Sequence, residues 1–80
     1  MVEAEIKAKL KDFLCSDLGI EPSSLEYDTM LFGDGIGLDS IDSIEIITFI
    51  DDTFGVDMTG VDKEHFQNID ALAAYIVEHQ

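Results

Sequence analysis

Apolar residues recur at three- and four-residue spacing in three stretches of this chain, and the segments between them break that rhythm. In the first stretch Val2, Ile6, Leu10, Phe13, Leu14 and Leu18 fall on one side of a helix, the period of about 3.6 residues that a half-buried helix requires. The spacing predicts a helix over residues 2–18, stopped at Gly19 with Pro22 just beyond, because glycine tolerates the left-handed turn that ends a helix and proline does not continue one. Residues 19–38 show no sustained period. With Pro22, the Ser23-Ser24 pair and Gly33, Gly35 and Gly37 they read as a loop, long for a compact domain and of the kind that is functional or flexible. Leu25, Met30, Leu31 and Phe32 are expected to pin it to the core.

A second helix is predicted over residues 40–54, with Asp39 as its N-cap, Asp42 in its first turn and Gly55 as its stop. Its β-branched isoleucines would also suit a strand, but length, cap and stop decide for helix. A short helical turn is expected around Phe66, within residues 61–67. A last helix runs from about Asn68 to His79, striped by Ile69, Leu72, Ala73 and Ile76 with Tyr75 at the edge. The fold class is therefore all-α: a small four-helix bundle of three main helices and one short one, with a long loop between the first and second. No linker or internal repeat divides the chain, so residues 1–80 read as a single domain.

The second helix has two apolar sides. At about 100° per residue, Ile46, Ile47, Ile50 and Phe54 share one arc and form the core face. Ile41, Ile44 and Thr48 lie roughly opposite, among Glu45, Asp51 and Asp52. An apolar centre with a charged rim is the anatomy of a docking surface. The alternative is a central helix buried on both sides.

Charge narrows the partners. Eighteen acidic residues against four basic ones give a formal net charge of −14. Nucleic acid would be repelled, whereas partners with basic patches would be drawn in at long range; the acidity also serves solubility alone. The lone cysteine, Cys15, allows no intrachain disulfide and suits a reducing compartment. The charged start, Met1 to Glu5, does not read as a signal peptide. The most apolar run, Ile44–Ile50, contains Glu45 and Thr48 and is far short of the roughly 20 residues that span a bilayer. A cytoplasmic monomer is expected.

The junction of loop and second helix reads Gly37-Leu38-Asp39-Ser40-Ile41. By spacing alone Asp39-Ser40 is only a helix start. The pentapeptide, however, resembles the Asp-Ser-Leu attachment signature of acyl carrier proteins, with Ile41 in place of leucine. The likeness continues through Asp42-Ser43-Ile44-Glu45-Ile46, through the Phe54-Gly55-Val56 stop, and into Ala73-Ala74-Tyr75-Ile76 near the end of the last helix. Order, spacing, length and acidity agree over essentially the whole chain.

The resemblance implies a carrier and not an enzyme. Ser40 would receive 4′-phosphopantetheine from coenzyme A through a separate phosphopantetheinyl transferase, with Asp39 helping to position Mg²⁺ during that reaction. Ile41, Ile44, Glu45, Thr48, Asp51 and Asp52 would meet partner synthases, transferases or ligases of fatty-acid, polyketide or specialised lipid synthesis. A phosphate on Ser40 would stand at the positive end of the helix, where anions are favoured. A second Asp-Ser-Ile, at Asp42-Ser43-Ile44, raises a question of register. Ser43 falls within the core arc and has no counterpart of Gly37 before it, so Ser40 is preferred. Two features depart from the family: Thr48 stands where a methionine is usual, and residues 32–37 are unusually rich in glycine.

Other readings compete. A carrier of aminoacyl or D-alanyl groups shares the same chemistry. An acidic helical interaction module would need no prosthetic group. A calcium loop started at Asp34 puts Glu45 at its twelfth position, but Ile36 and Leu38 then occupy ligand positions and Asp39 stands where glycine is needed. His65, His79 and Cys15 form no metal or nucleophile set in sequence. No resident metal is expected, the two histidines read as surface residues, and Cys15 reads as the edge of the core.

Overall fold

Three faces of apolar side chains converge on one core in the computed structural model, which describes residues 1–80. Helix α1 spans Glu3–Ser16, α2 spans Ser40–Phe54 and α3 spans Ile69–His79; 3₁₀ turns lie at Pro22–Ser24 and Lys63–Phe66. The fold is the all-α bundle expected, with its short fourth element a 3₁₀ turn and not an α-helix. Ile6, Leu10 and Leu14 of α1 are fully buried, as are Ile46 and Ile50 of α2 and Ile69, Leu72, Ala73 and Ile76 of α3. Fully burying one such aliphatic side chain is worth roughly 1.5–3 kcal/mol. No polar side chain is buried, so caps and turns, not a polar core, fix where each element begins and ends.

The first helix ends two residues before the expected Leu18. Asp17 donates its backbone N–H to the Phe13 carbonyl at 2.8 Å, Gly19 turns left-handed at φ +72°, and the Ile20 N–H reaches back to the Leu14 carbonyl at 3.2 Å. That turn brings Leu18 to a half-buried position and Ile20 into the core. Phe13 stacks on Phe49 of α2 with ring centroids 4.2 Å apart, and Phe49 meets Phe54 edge-on at 5.9 Å. The wheel assigned Phe49 to neither side of α2; it joins the core through this aromatic row. Cys15 lies half-buried at the margin of the core, as expected.

The long loop is sewn down by backbone hydrogen bonds and two leucines. Leu25 and Leu31 are fully buried and Phe32 partly so, whereas Met30, also expected to anchor the loop, is 51% exposed. The reason is local: the loop folds back over the Met30 backbone, and the Ile36 N–H donates to the Met30 carbonyl at 2.8 Å, leaving the side chain outside. Leu38 donates to Leu31 at 3.0 Å, Leu31 to Gln67 at 2.8 Å, and Asp70 to Tyr27 at 3.0 Å. The last two tie the loop to the start of α3, where the Asn68 side chain caps the helix by accepting from the Ala71 N–H at 2.7 Å. After α2, Val56 and Met58 turn inward. There the Asp57 carboxylate accepts from Thr59, which holds it below the usual carboxylate range.

Ion pairing does little to offset the charge. Lys7 bonds Asp70 at 2.9 Å, joining α1 to α3, and that bond holds the ammonium above its usual range. The His65 ring lies 3.7 Å from the Glu64 carboxylate. No other carboxylate is paired with a cation, so self-repulsion weakens the compact state. Raising salt from low ionic strength, or adding Mg²⁺, is expected to lift the melting temperature by several degrees, since about 1 kcal/mol moves a domain of this size by roughly 4–8 °C. A calorimetric melting point indifferent to salt would show that the repulsion is not felt.

Candidate functional site

Helix α2 begins with a closed pair of side-chain caps. Asp39 takes an extended backbone, φ −110° and ψ −174°, and its Oδ1 accepts from the N–H groups of Ile41 and Asp42, both at 3.0 Å. Asp42 Oδ2 in turn accepts from the Asp39 N–H at 3.1 Å. This is a capping box in which aspartate replaces the usual Glu or Gln. Gly37, at φ +87°, supplies the left-handed step that brings the loop into the cap.

Ser40 is the first residue of the helix and is exposed. No group of the chain hydrogen-bonds its hydroxyl, whereas the Ser43 hydroxyl donates to the Ser40 carbonyl at 2.7 Å and is half-buried. The two serines of the repeated triplet are thus in different states: one hydroxyl is free, the other is occupied with its own helix. The gain expected for a phosphate on Ser40 from the positive helix end is reduced, with the N–H of Ser40 itself the one donor left free there. The amides of Ile41 and Asp42 are already taken by Asp39, and two carboxylates stand beside the site.

One face of α2 is open to solvent. Ile41 is 68% and Ile44 61% exposed, and Glu45, Thr48, Asp51 and Asp52 are exposed around them. Burial on both sides is excluded. The opposite side holds Ile46 and Ile50 at 0% exposure, with Ile47 and Phe54 packed against the core.

Between these faces lies a half-open groove of about 590 Å³, walled by Phe32, Leu38, Ile47, Met58 and Phe66. Ser40 and Ser43 border it on the α2 side, and Lys63 is its only basic residue. The sequence did not reveal this groove, because its walls come from the loop, α2 and the 58–67 segment and meet only in the folded chain. Elsewhere, no three carboxylate, histidine or cysteine side chains converge to hold an ion. His65 and His79 are not independent surface residues: both lie against Tyr75, at 5.2 and 3.9 Å between ring centroids.

A rigid bundle that displays a free serine hydroxyl at a helix start, beside an apolar strip and a groove, is the architecture of a carrier domain. The chain matches the family model described as the phosphopantetheine attachment site over residues 8–76. It is 32% identical to the acyl carrier protein of Chlorobium phaeovibrioides over 78 residues, 98% of this chain and 99% of that one. It is 31% identical to that of Chlorobium phaeobacteroides over the same shares, and 30% identical to that of Chloroherpeton thalassium, 96% of whose length is covered. The chain belongs to the acyl carrier protein family: it is a carrier and not an enzyme, and its prosthetic group is phosphopantetheine. The residues present fit such a group, since a hydroxyl that is exposed and unbonded can accept a phosphodiester without breaking any contact of the fold.

Proposed function

We propose that Ser40 bears the phosphopantetheine arm and that the chain, working as one domain, carries acyl groups on it between enzymes of fatty-acid, polyketide or specialised lipid synthesis. The observation that carries this reading is the free, exposed Ser40 hydroxyl set next to the Ile41–Ile44 strip. The bound group supplies a terminal thiol that holds acyl chains as thioesters. The chain's own residues do the rest. The capping box holds Ser40 at a rigid helix start, Asp39 offers a carboxylate edge to the Mg²⁺ used during modification, and the base that accepts the serine proton belongs to the transferase. The groove beside Ser40 offers an apolar wall to the arm and its cargo. Thr48 and the glycine-rich 32–37 stretch support a set of partner enzymes of its own. A monomer in the cytoplasm suits the single unpaired thiol, Cys15.

Incubation with coenzyme A, Mg²⁺ and a phosphopantetheinyl transferase, followed by peptide mass mapping, tests the assignment. The added mass is expected on the peptide at Ser40; mass on Ser43, or none, rejects it.

The docking face makes a separate prediction. Ile41, Ile44, Glu45, Thr48, Asp51 and Asp52 form the surface that partner enzymes with basic patches meet. Ile44→Ala is expected to change stability by under about 0.5 kcal/mol, as exposed substitutions do. It should also raise the KM of the transferase about tenfold, equivalent to about 1.4 kcal/mol of contact. Ile50→Ala should do the reverse, costing about 2–5 kcal/mol of stability through its cavity. Equal melting points for the two variants would show that the strip is core and not contact surface.

A further inference from the structure

We infer that Lys63 is the counter-charge for the phosphodiester borne by Ser40, drawing the first part of the arm along the groove instead of leaving it free in solvent. The inference rests on Ser40 being the attachment residue. A phosphodiester there brings a negative charge next to Asp39 and Asp42, whose carboxylates already occupy the amides of Ile41, Asp42 and Asp39. The helix start thus offers an anion only the N–H of Ser40 itself, and like charges at short range oppose it.

The chain has four basic side chains, all of them lysines. Lys7, Lys9 and Lys11 belong to α1, and Lys7 is committed to Asp70. Lys63 borders the same groove as Ser40 and forms no ion pair with a neighbouring carboxylate. Its backbone is fixed by the 3₁₀ turn, where the His65 N–H donates to the Asp62 carbonyl at 3.1 Å and Phe66 is buried. The base of the side chain is therefore held at the groove while its flexible four-carbon stem carries a mobile point charge. An ammonium so placed attracts an anion delivered at Ser40 and directs the arm towards the apolar wall of Met58 and Phe66.

The test compares apo and phosphopantetheinylated full-length chain for the wild type, Lys63→Gln and Lys9→Gln. The two variants make the same change in net charge, but Lys9 lies on α1, away from the groove. Attachment of the arm is expected to raise the melting temperature of wild type and Lys9→Gln by about 2–4 °C more than that of Lys63→Gln, the scale of one exposed pair in a domain of this size. The gap should close in about 0.5 M salt. In the wild type, the Lys63 side-chain methylene resonances should shift on modification, and the phosphorus resonance should differ between wild type and Lys63→Gln. Modification at Ser40 with unmoved Lys63 resonances overturns the inference and leaves the carrier reading intact. So does a shift that arises only after an acyl group with its own carboxylate is loaded. Mass on Ser43, or no mass gain, removes both.

Discussion

Ser40→Ala should take up no phosphopantetheine at all, while Ser43→Ala should be modified as fully as the wild type. The contrast is demanding because the two sites are nearly the same in sequence: each serine follows an aspartate and precedes an isoleucine. Structure separates them. Ser43 is half-buried and its hydroxyl donates to the Ser40 carbonyl at 2.7 Å, so its modification would require that bond to break and the side chain to turn out of the helix. Ser40 needs neither. Alanine is the best helix former, and Asp39 caps through its own side chain to Ile41 and Asp42, so Ser40→Ala keeps the helix start. Circular dichroism of both variants should match the wild type, and the mass spectrum alone should differ. Residual mass gain in Ser40→Ala would move the attachment residue elsewhere.

The distinction between those serines marks where sequence reasoning stops. The bounds of α2, its Asp39 cap and the split of its isoleucines were legible because all depend on neighbours within a few residues. So was the stripe of α3. The end of α1 was not: Leu18 continues the apolar rhythm, yet it is buried by the turn at Gly19 and not by helix. Met30 misled for a related reason. It sits beside Leu31 and Phe32 in an apolar run, but the run has no period, and a hydrogen bond to its backbone from Ile36 decides which side chain points in. Lys63 carries no motif or periodic signal in the sequence. Its place at the groove depends on residues from three separate segments, a relation that no local pattern encodes. Met58 entered the core with no signal beyond being apolar.

Gly35→Ala is expected to cause the largest loss of stability of any glycine substitution in the loop, and to slow modification although it touches neither Ser40 nor the docking face. A Cβ at Gly35 would fall on the Met30 carbonyl oxygen, with the carbonyl carbon at 2.6 Å and Met30 Cβ at 2.7 Å. The obstacle is mainly backbone, which cannot swing aside like a side-chain tip. The loop must therefore open at the Ile36-to-Met30 hydrogen bond of 2.8 Å, and the next tie, Leu38 to Leu31 at 3.0 Å, is strained with it. Overpacking of this kind costs about 1–3 kcal/mol. A chain of 80 residues has only about 4–12 kcal/mol in total, so the melting temperature should fall by roughly 4–24 °C. Leu38 leads directly into the Asp39 cap, so loosening it loosens the setting of Ser40 and one wall of the groove. The neighbouring Gly33 gives the control. A Cβ there meets nothing within 4 Å, but its φ of +67° favours glycine, so Gly33→Asn, with a residue that tolerates that region, should be nearly neutral. If Gly35→Ala melts with the wild type and is modified at the same rate, the loop's turn is not what holds the attachment serine in place.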